Sequence, residues 1–110
     1  GMTDSPRYAL YKADYTCLLA NKMDEASDFK ASVVGRLCES GDIIQEDVML
    51  PASVGRYDTL ALCTAGAYHY SMASHYNRLP KPPVIMLKCG NESYVAVKGE
   101  TFEDVIRNDV

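Results

Sequence analysis

Cys38 and Glu39 stand side by side in the stretch CESGD (38–42), directly after the apolar run FKASVVGRL. A turn at this point needs the glycine, Gly41, but has no use for a thiol beside a carboxylate. A thiol tuned by its surroundings gives or takes a proton near neutral pH. A neighbouring carboxylate holds an ammonium group. The plainer alternative is a cysteine buried as a small hydrophobe at a strand end, a solvated Glu39, and Asp42 capping the turn.

Two further stretches have the residue types for binding. In RYALY (7–11), a helical turn places Arg7 and Tyr11 on one face, four residues apart. Both side chains are then able to meet one carboxylate, which the planar guanidinium fork suits. The alternative is an exposed arginine beside a packed tyrosine. In TAGAYHYSMASHYN (64–77), small residues alternate with Tyr68, Tyr70 and Tyr76. Ala65-Gly66 permits a close backbone approach, and a tyrosine after such a turn offers its hydroxyl to a phosphate or carboxylate. The alternative is a loop of packed aromatic residues.

The elements that must position these groups read mostly as β. YTCLLAN (15–21) has the makeup of a buried strand, and NKMDEASD (21–28) reads as a loop. FKASVVGRLC (29–38) opens with a period of two at Phe29, Ala31 and Val33. DTLALCTA (58–65) reads as another largely buried run. Val84–Leu87 and Tyr94–Val97 flank the turn signal CGNE and predict a hairpin. Pro80, Pro82 and Pro83 stop an earlier element from running into it. TFEDVIRNDV (101–110) predicts one closing helix, with Thr101 and Asp104 spaced as a capping box. The expected fold class is mainly β, a small Greek-key β-barrel or sandwich with a short C-terminal helix. Its 110 residues suit one domain.

Composition narrows the function. A net charge of −4 and scattered basic residues disfavour a nucleic-acid surface. No apolar run reaches the roughly 20 residues that span a bilayer. The four cysteines form no C-x-x-C pair and lie far in sequence from His69 and His75, so no metal site is expected. No signal peptide is expected, and neither are bonded thiols: free cysteines in a reducing cytoplasm are the expectation.

Taken in order, RYALY, GRLCESGD and TAGAYHYSMASHYNRLPKPP resemble the C-terminal β-domain of the diaminopimelate decarboxylases. These are pyridoxal-phosphate-dependent enzymes that share the alanine racemase type of fold. The resemblance runs from Arg7 to the final helix, so residues 1–110 read as a single C-terminal β-domain without its cofactor-binding (β/α)8 barrel. It implies that a barrel domain or companion chain holds pyridoxal 5'-phosphate on a lysine, and that the active site forms at a homodimer interface. It implies Cys38 as the acid that protonates the substrate carbon after carbon dioxide leaves. Glu39 would read the substrate's distal ammonium, and both residues would reach into the partner subunit's site. Arg7 and Tyr11 would bind the distal carboxylate. Tyr68 would lie by the cofactor and its phosphate, and Gly41 and Asp42 would shape the loop.

There are departures from the family pattern. Tyr8 replaces the usual proline in RYALY, leaving the backbone there less fixed, and KADY and CTAGAY differ from the usual sequences. Glu39 favours diaminopimelate over ornithine or arginine, whose decarboxylases usually carry aspartate there. The other readings are a domain of such a related decarboxylase, or a catalytically silent β-domain or interaction module. Alone, the chain is expected to be inactive and to self-associate through Tyr11, Tyr68, Tyr70 and Tyr76.

Overall fold

The computed structural model describes residues 1–110. The chain is mainly β. In order, its elements are α1 (Arg7–Tyr11), β1 (Cys17–Leu19), β2 (Ser27–Val34), β3 (Ile43–Pro51), β4 (Leu60–Leu62), α2 (His69–Met72), a 3-10 turn (Tyr76–Arg78), β5 (Val84–Leu87), β6 (Ser93–Val97) and α3 (Phe102–Ile106). The strands pair antiparallel as β1–β4, β2–β3 and β5–β6. They form three two-stranded ladders.

The core lies where two ladders meet. Cys17 and Leu19 of β1 pack with Val48 and Leu50 of β3, and Ala31, Val33, Val54 and Leu62 close around them. Burial of Cys17 pushes its thiol up from its ordinary range. Beside this core, Asp58 ties two loops together. Its carboxylate accepts from Lys22 Nζ at 2.8 Å, from Asn21 Nδ2 at 2.8 Å and from the Gly55 N–H at 2.8 Å. The lysine ammonium first, then the other donors, hold that carboxyl down to about 2.

The sequence reading misses β3, the longest strand. Gln45 turns inward and is buried although polar, and Asp47 takes a left-handed conformation at φ 57°. The β2–β3 register shifts between Ala31 and Val33. Such a bulge breaks the period of two that identifies a half-buried strand. Three other expectations change. β2 stops at Val34 rather than Cys38, because Gly35 turns to donate its N–H to the Asp42 carbonyl at 2.8 Å. Phe29 faces solvent, so the inward alternation starts only at Ala31. The 58–65 run contributes only Leu60–Leu62 and is at most half-buried.

The hairpin forms as read, and the closing helix is capped as read but spans only Phe102–Ile106. Gly90 and Asn91 supply the two left-handed turn residues between β5 and β6. Thr101 Oγ1 accepts from the Asp104 N–H at 3.2 Å, and the Asp104 carboxylate accepts from the Thr101 N–H at 2.8 Å.

Little of the apolar content is covered. The chain is 47% hydrophobic, yet only 11 of its 110 residues are buried. Ile85, Leu87, Tyr94, Val95, Phe102 and Ile106 all face outward. The radius of gyration is 15.5 Å, against about 13 Å for a compact domain of this length. The chain therefore presents broad apolar surface of the kind that monomers seldom leave exposed. No helix is long and apolar enough to cross a membrane, and all four cysteines are free.

Candidate functional site

The loop between β2 and β3 is built around a buried carboxylate. Asp42 is 3% exposed. Its Oδ1 accepts from the Met2 N–H at 2.6 Å, and its Oδ2 accepts from the Leu37 N–H at 2.8 Å. Its own N–H donates to the Glu39 carbonyl at 3.1 Å. Gly35 makes room for it, since a Cβ at Gly35 would lie 1.9 Å from Asp42 Oδ2. The result is a tight loop that leaves Cys38 exposed at its tip. Glu39 is half-buried. Its Oε1 accepts from the Gly41 N–H at 3.0 Å and its Oε2 from the Tyr76 hydroxyl at 3.0 Å. The Gly41 N–H first, then the Tyr76 hydroxyl, hold the Glu39 carboxyl below the usual carboxylate range. Glu39 is thus an oriented anion beside an accessible thiol.

This architecture makes a stability prediction. Each Asp42 oxygen faces a backbone donor, so Asp42→Asn must turn an NH2 group toward one of the two N–H groups. Leaving a buried donor unpaired costs about 1–3 kcal/mol. Gly35→Ala drives a methyl into the same carboxylate, and overpacking of this kind costs about 1–3 kcal/mol. Both variants are expected to unfold at lower urea than wild type when followed by circular dichroism. Unchanged midpoints would show that Asp42 is not the anchor of the loop.

A second group forms where α1 meets the segment before α2. The Tyr8 hydroxyl donates to Glu46 of β3, and Lys12 Nζ lies 3.7 Å from the same carboxylate. Tyr8 thus fixes α1 to β3 through its side chain. Arg7 Nη1 donates to the Tyr15 hydroxyl at 3.0 Å, and its guanidinium carbon sits 5.1 Å from the centre of the Tyr68 ring. Arg7 therefore meets Tyr15 and Tyr68. Tyr11, expected to converge with it, lies exposed at the end of α1. An open cavity of about 420 Å³ beside Arg7 is lined by Ala13, Tyr15, Cys63 and Thr64 among others.

Tyr68 carries backbone strain. It caps α2 at φ 71°, ψ −36°, a conformation that costs a non-glycine residue about 1–3 kcal/mol. Its carbonyl accepts from the Ser71 hydroxyl at 2.7 Å and the Met72 N–H at 3.1 Å. Tyr68 as a whole is 67% exposed. The packed-aromatic reading of residues 64–77 does not hold, because Tyr68, Tyr70 and Tyr76 all face outward and His69 is the buried residue. No part of this chain approaches Gly66 within 4 Å of where a Cβ would stand.

The five candidates thus fall into two groups, Cys38 with Glu39 and Arg7 with Tyr68, with Tyr11 exposed beyond the second. No hydrogen bond or ion pair joins one group to the other within the chain. The sequence reading missed Tyr15 and the role of Tyr76, since partners 8 and 37 residues away leave no local pattern. A larger groove of about 710 Å³, lined by Tyr8, Asp14, Gln45 and Glu46 among others, contains none of the five.

Comparison with known proteins places this arrangement. Residues 1–66 match the family described as pyridoxal-dependent decarboxylase, C-terminal sheet domain. The diaminopimelate decarboxylase of Staphylococcus aureus is 50% identical over 109 residues, covering 99% of this chain and 25% of that protein. That of Bacillus subtilis is 46% identical over 110 residues, again 25% of its length. Among solved structures, the Helicobacter pylori diaminopimelate decarboxylase complexed with L-lysine superimposes with a TM-score of 0.87 at 34% identity, over 99% of this chain and 26% of that one. The M. jannaschii enzyme in co-complex with L-lysine gives 0.86 at 30% identity, over 100% and 24%. The chain spans about a quarter of the length of the relatives it matches. The family match covers both candidate groups save Tyr68, and the relatives extend it over the whole fold: the chain belongs to the C-terminal sheet domains of the pyridoxal-dependent decarboxylases.

Proposed function

We propose that this chain is the C-terminal domain of a cytoplasmic diaminopimelate decarboxylase, which converts meso-2,6-diaminopimelate to L-lysine and carbon dioxide in lysine biosynthesis. The observation that carries the reading is the pairing of an exposed thiol with a fixed carboxylate on one loop, and of a guanidinium with an exposed phenol elsewhere. The distal end of diaminopimelate bears both an ammonium and a carboxylate. Glu39 is suited to the first and the Arg7 guanidinium to the second, with Tyr11 exposed at the end of the same helix as a further donor. Ornithine has no distal carboxylate and would leave Arg7 unused.

Pyridoxal phosphate, when bound, supplies the electron sink that decarboxylation needs. The residues present fit such a group: Tyr68 offers an exposed phenol and ring face, and the neighbouring guanidinium favours an anion. The lysine that holds the cofactor belongs to the barrel in this reading. Cys38 Sγ then gives its proton to the substrate carbon that has lost carbon dioxide, while Glu39 and Arg7 keep the distal end still. The two groups are not joined within one chain, which supports a homodimer in which Cys38 and Glu39 serve the partner's site. The broad apolar surface supports a barrel and a second subunit as its cover.

The test is substrate choice by the enzyme that carries this domain, loaded with pyridoxal phosphate. Lysine and carbon dioxide are expected from meso-diaminopimelate, with no comparable release from ornithine or arginine. Equal turnover of ornithine or arginine would overturn the assignment.

A further inference from the structure

Glu39 is gripped from two directions. On one side, Oε1 accepts from the Gly41 N–H at 3.0 Å and the Ser40 hydroxyl at 3.4 Å, both from its own loop. On the other, Oε2 accepts from Tyr76, 37 residues away in sequence, at 3.0 Å. Tyr76 is itself held on a constrained segment. His75 Nε2 meets Glu100 Oε2 at 2.5 Å, and Arg78 pairs with Asp109. Between them the backbone turns through Asn77 and Arg78, both left-handed at φ 57°. The tyrosine is thus anchored on both flanks to the C-terminal segment, and its hydroxyl has one hydrogen-bond partner, Glu39.

We propose that Tyr76 is a positioning residue for substrate recognition, its hydroxyl fixing the Glu39 carboxylate in the orientation that receives the distal ammonium of the substrate. The proposal rests on the reading of Glu39 as the ammonium's partner. A glutamate side chain has three rotatable bonds, and freezing them at the moment of binding weakens affinity. A donor on the side away from the loop freezes them beforehand. The electrostatics keep the pair in its working states. Hydrogen bonding to Glu39, and then its charge, push the Tyr76 phenol up from its ordinary range, so it remains a donor. The loop N–H and the phenol keep Glu39 an anion. Tyr76 acts on binding rather than on the proton transfer, so its loss falls on KM.

The test is a double-mutant cycle in the enzyme that carries this domain, with steady-state kinetics on meso-diaminopimelate. Tyr76→Phe keeps the ring and removes the hydroxyl. It is expected to raise KM about 10-fold, as for loss of a hydrogen bond to a charged group, with kcat within about 2-fold. In a Glu39→Ala background the same change is expected to move KM by less than about 2-fold, because its target is gone. An equal rise in both backgrounds, with a lowered thermal midpoint, would assign Tyr76 to the fold and overturn the proposal. If Glu39→Ala raises KM but Tyr76→Phe does not, the proposal alone fails. If Glu39→Ala behaves like wild type, the reading of Glu39 fails and takes the proposal with it.

Discussion

Replacing Cys38 with alanine is expected to lower kcat of the complete enzyme by about 100- to 10,000-fold, the usual cost of losing one positioned proton donor. The thiol is exposed at the tip of a loop whose backbone is tied at Gly35, Leu37 and Asp42. Alanine there removes the Sγ proton and disturbs none of those ties, so folding should survive and the defect should be chemical. Glu39→Gln, one residue on, should behave differently. It keeps the shape and removes the charge, so KM for meso-diaminopimelate should rise while kcat falls less. Stopped-flow measurement of the step after carbon dioxide release separates the two. Wild-type kinetics in both variants would mean that CESGD is only a turn.

The loop that carries this pair was partly legible in the sequence. Cys38 and Glu39 are neighbours, and an unneeded thiol beside a carboxylate is visible without a structure. What fixes them was not visible. Asp42 reaches the Met2 N–H across 40 residues, and Tyr76 reaches Glu39 across 37. Contacts of that span leave no periodicity to read. The same division runs through the fold. The β5–β6 hairpin and the Thr101–Asp104 cap of α3 rest on local signals, a two-residue left-handed turn and a capping box, and they form where expected, while α1 takes up RYALY itself. β3 was missed because Gln45 is buried against the polarity of its side chain and Asp47 interrupts the strand period. The pairing of Arg7 with Tyr11 was inferred from helical spacing alone. That spacing cannot register Tyr15 and Tyr68, which take Arg7 from outside the helix. The exposure of Tyr11, Tyr68, Tyr70 and Tyr76 agrees with a surface awaiting cover.

In the proposed enzyme the two groups of this chain belong to one kind of active site, completed by two subunits. This makes a sharp prediction for mixed dimers. Arg7→Ala and Cys38→Ala enzymes should each be severely impaired, because each removes one half of every site. When the two are mixed and allowed to exchange subunits, a hybrid dimer carries one site with both residues intact and one with neither. Random pairing makes half the dimers hybrid with one working site of two, so recovery should approach about a quarter of wild-type activity. Differently tagged subunits, co-purified through both tags, would establish that hybrids form. Recovery toward that level is the result expected here. Hybrids that form and remain as inactive as their parents would contradict it, and would place Cys38 and Arg7 in the same subunit's site or outside the site altogether.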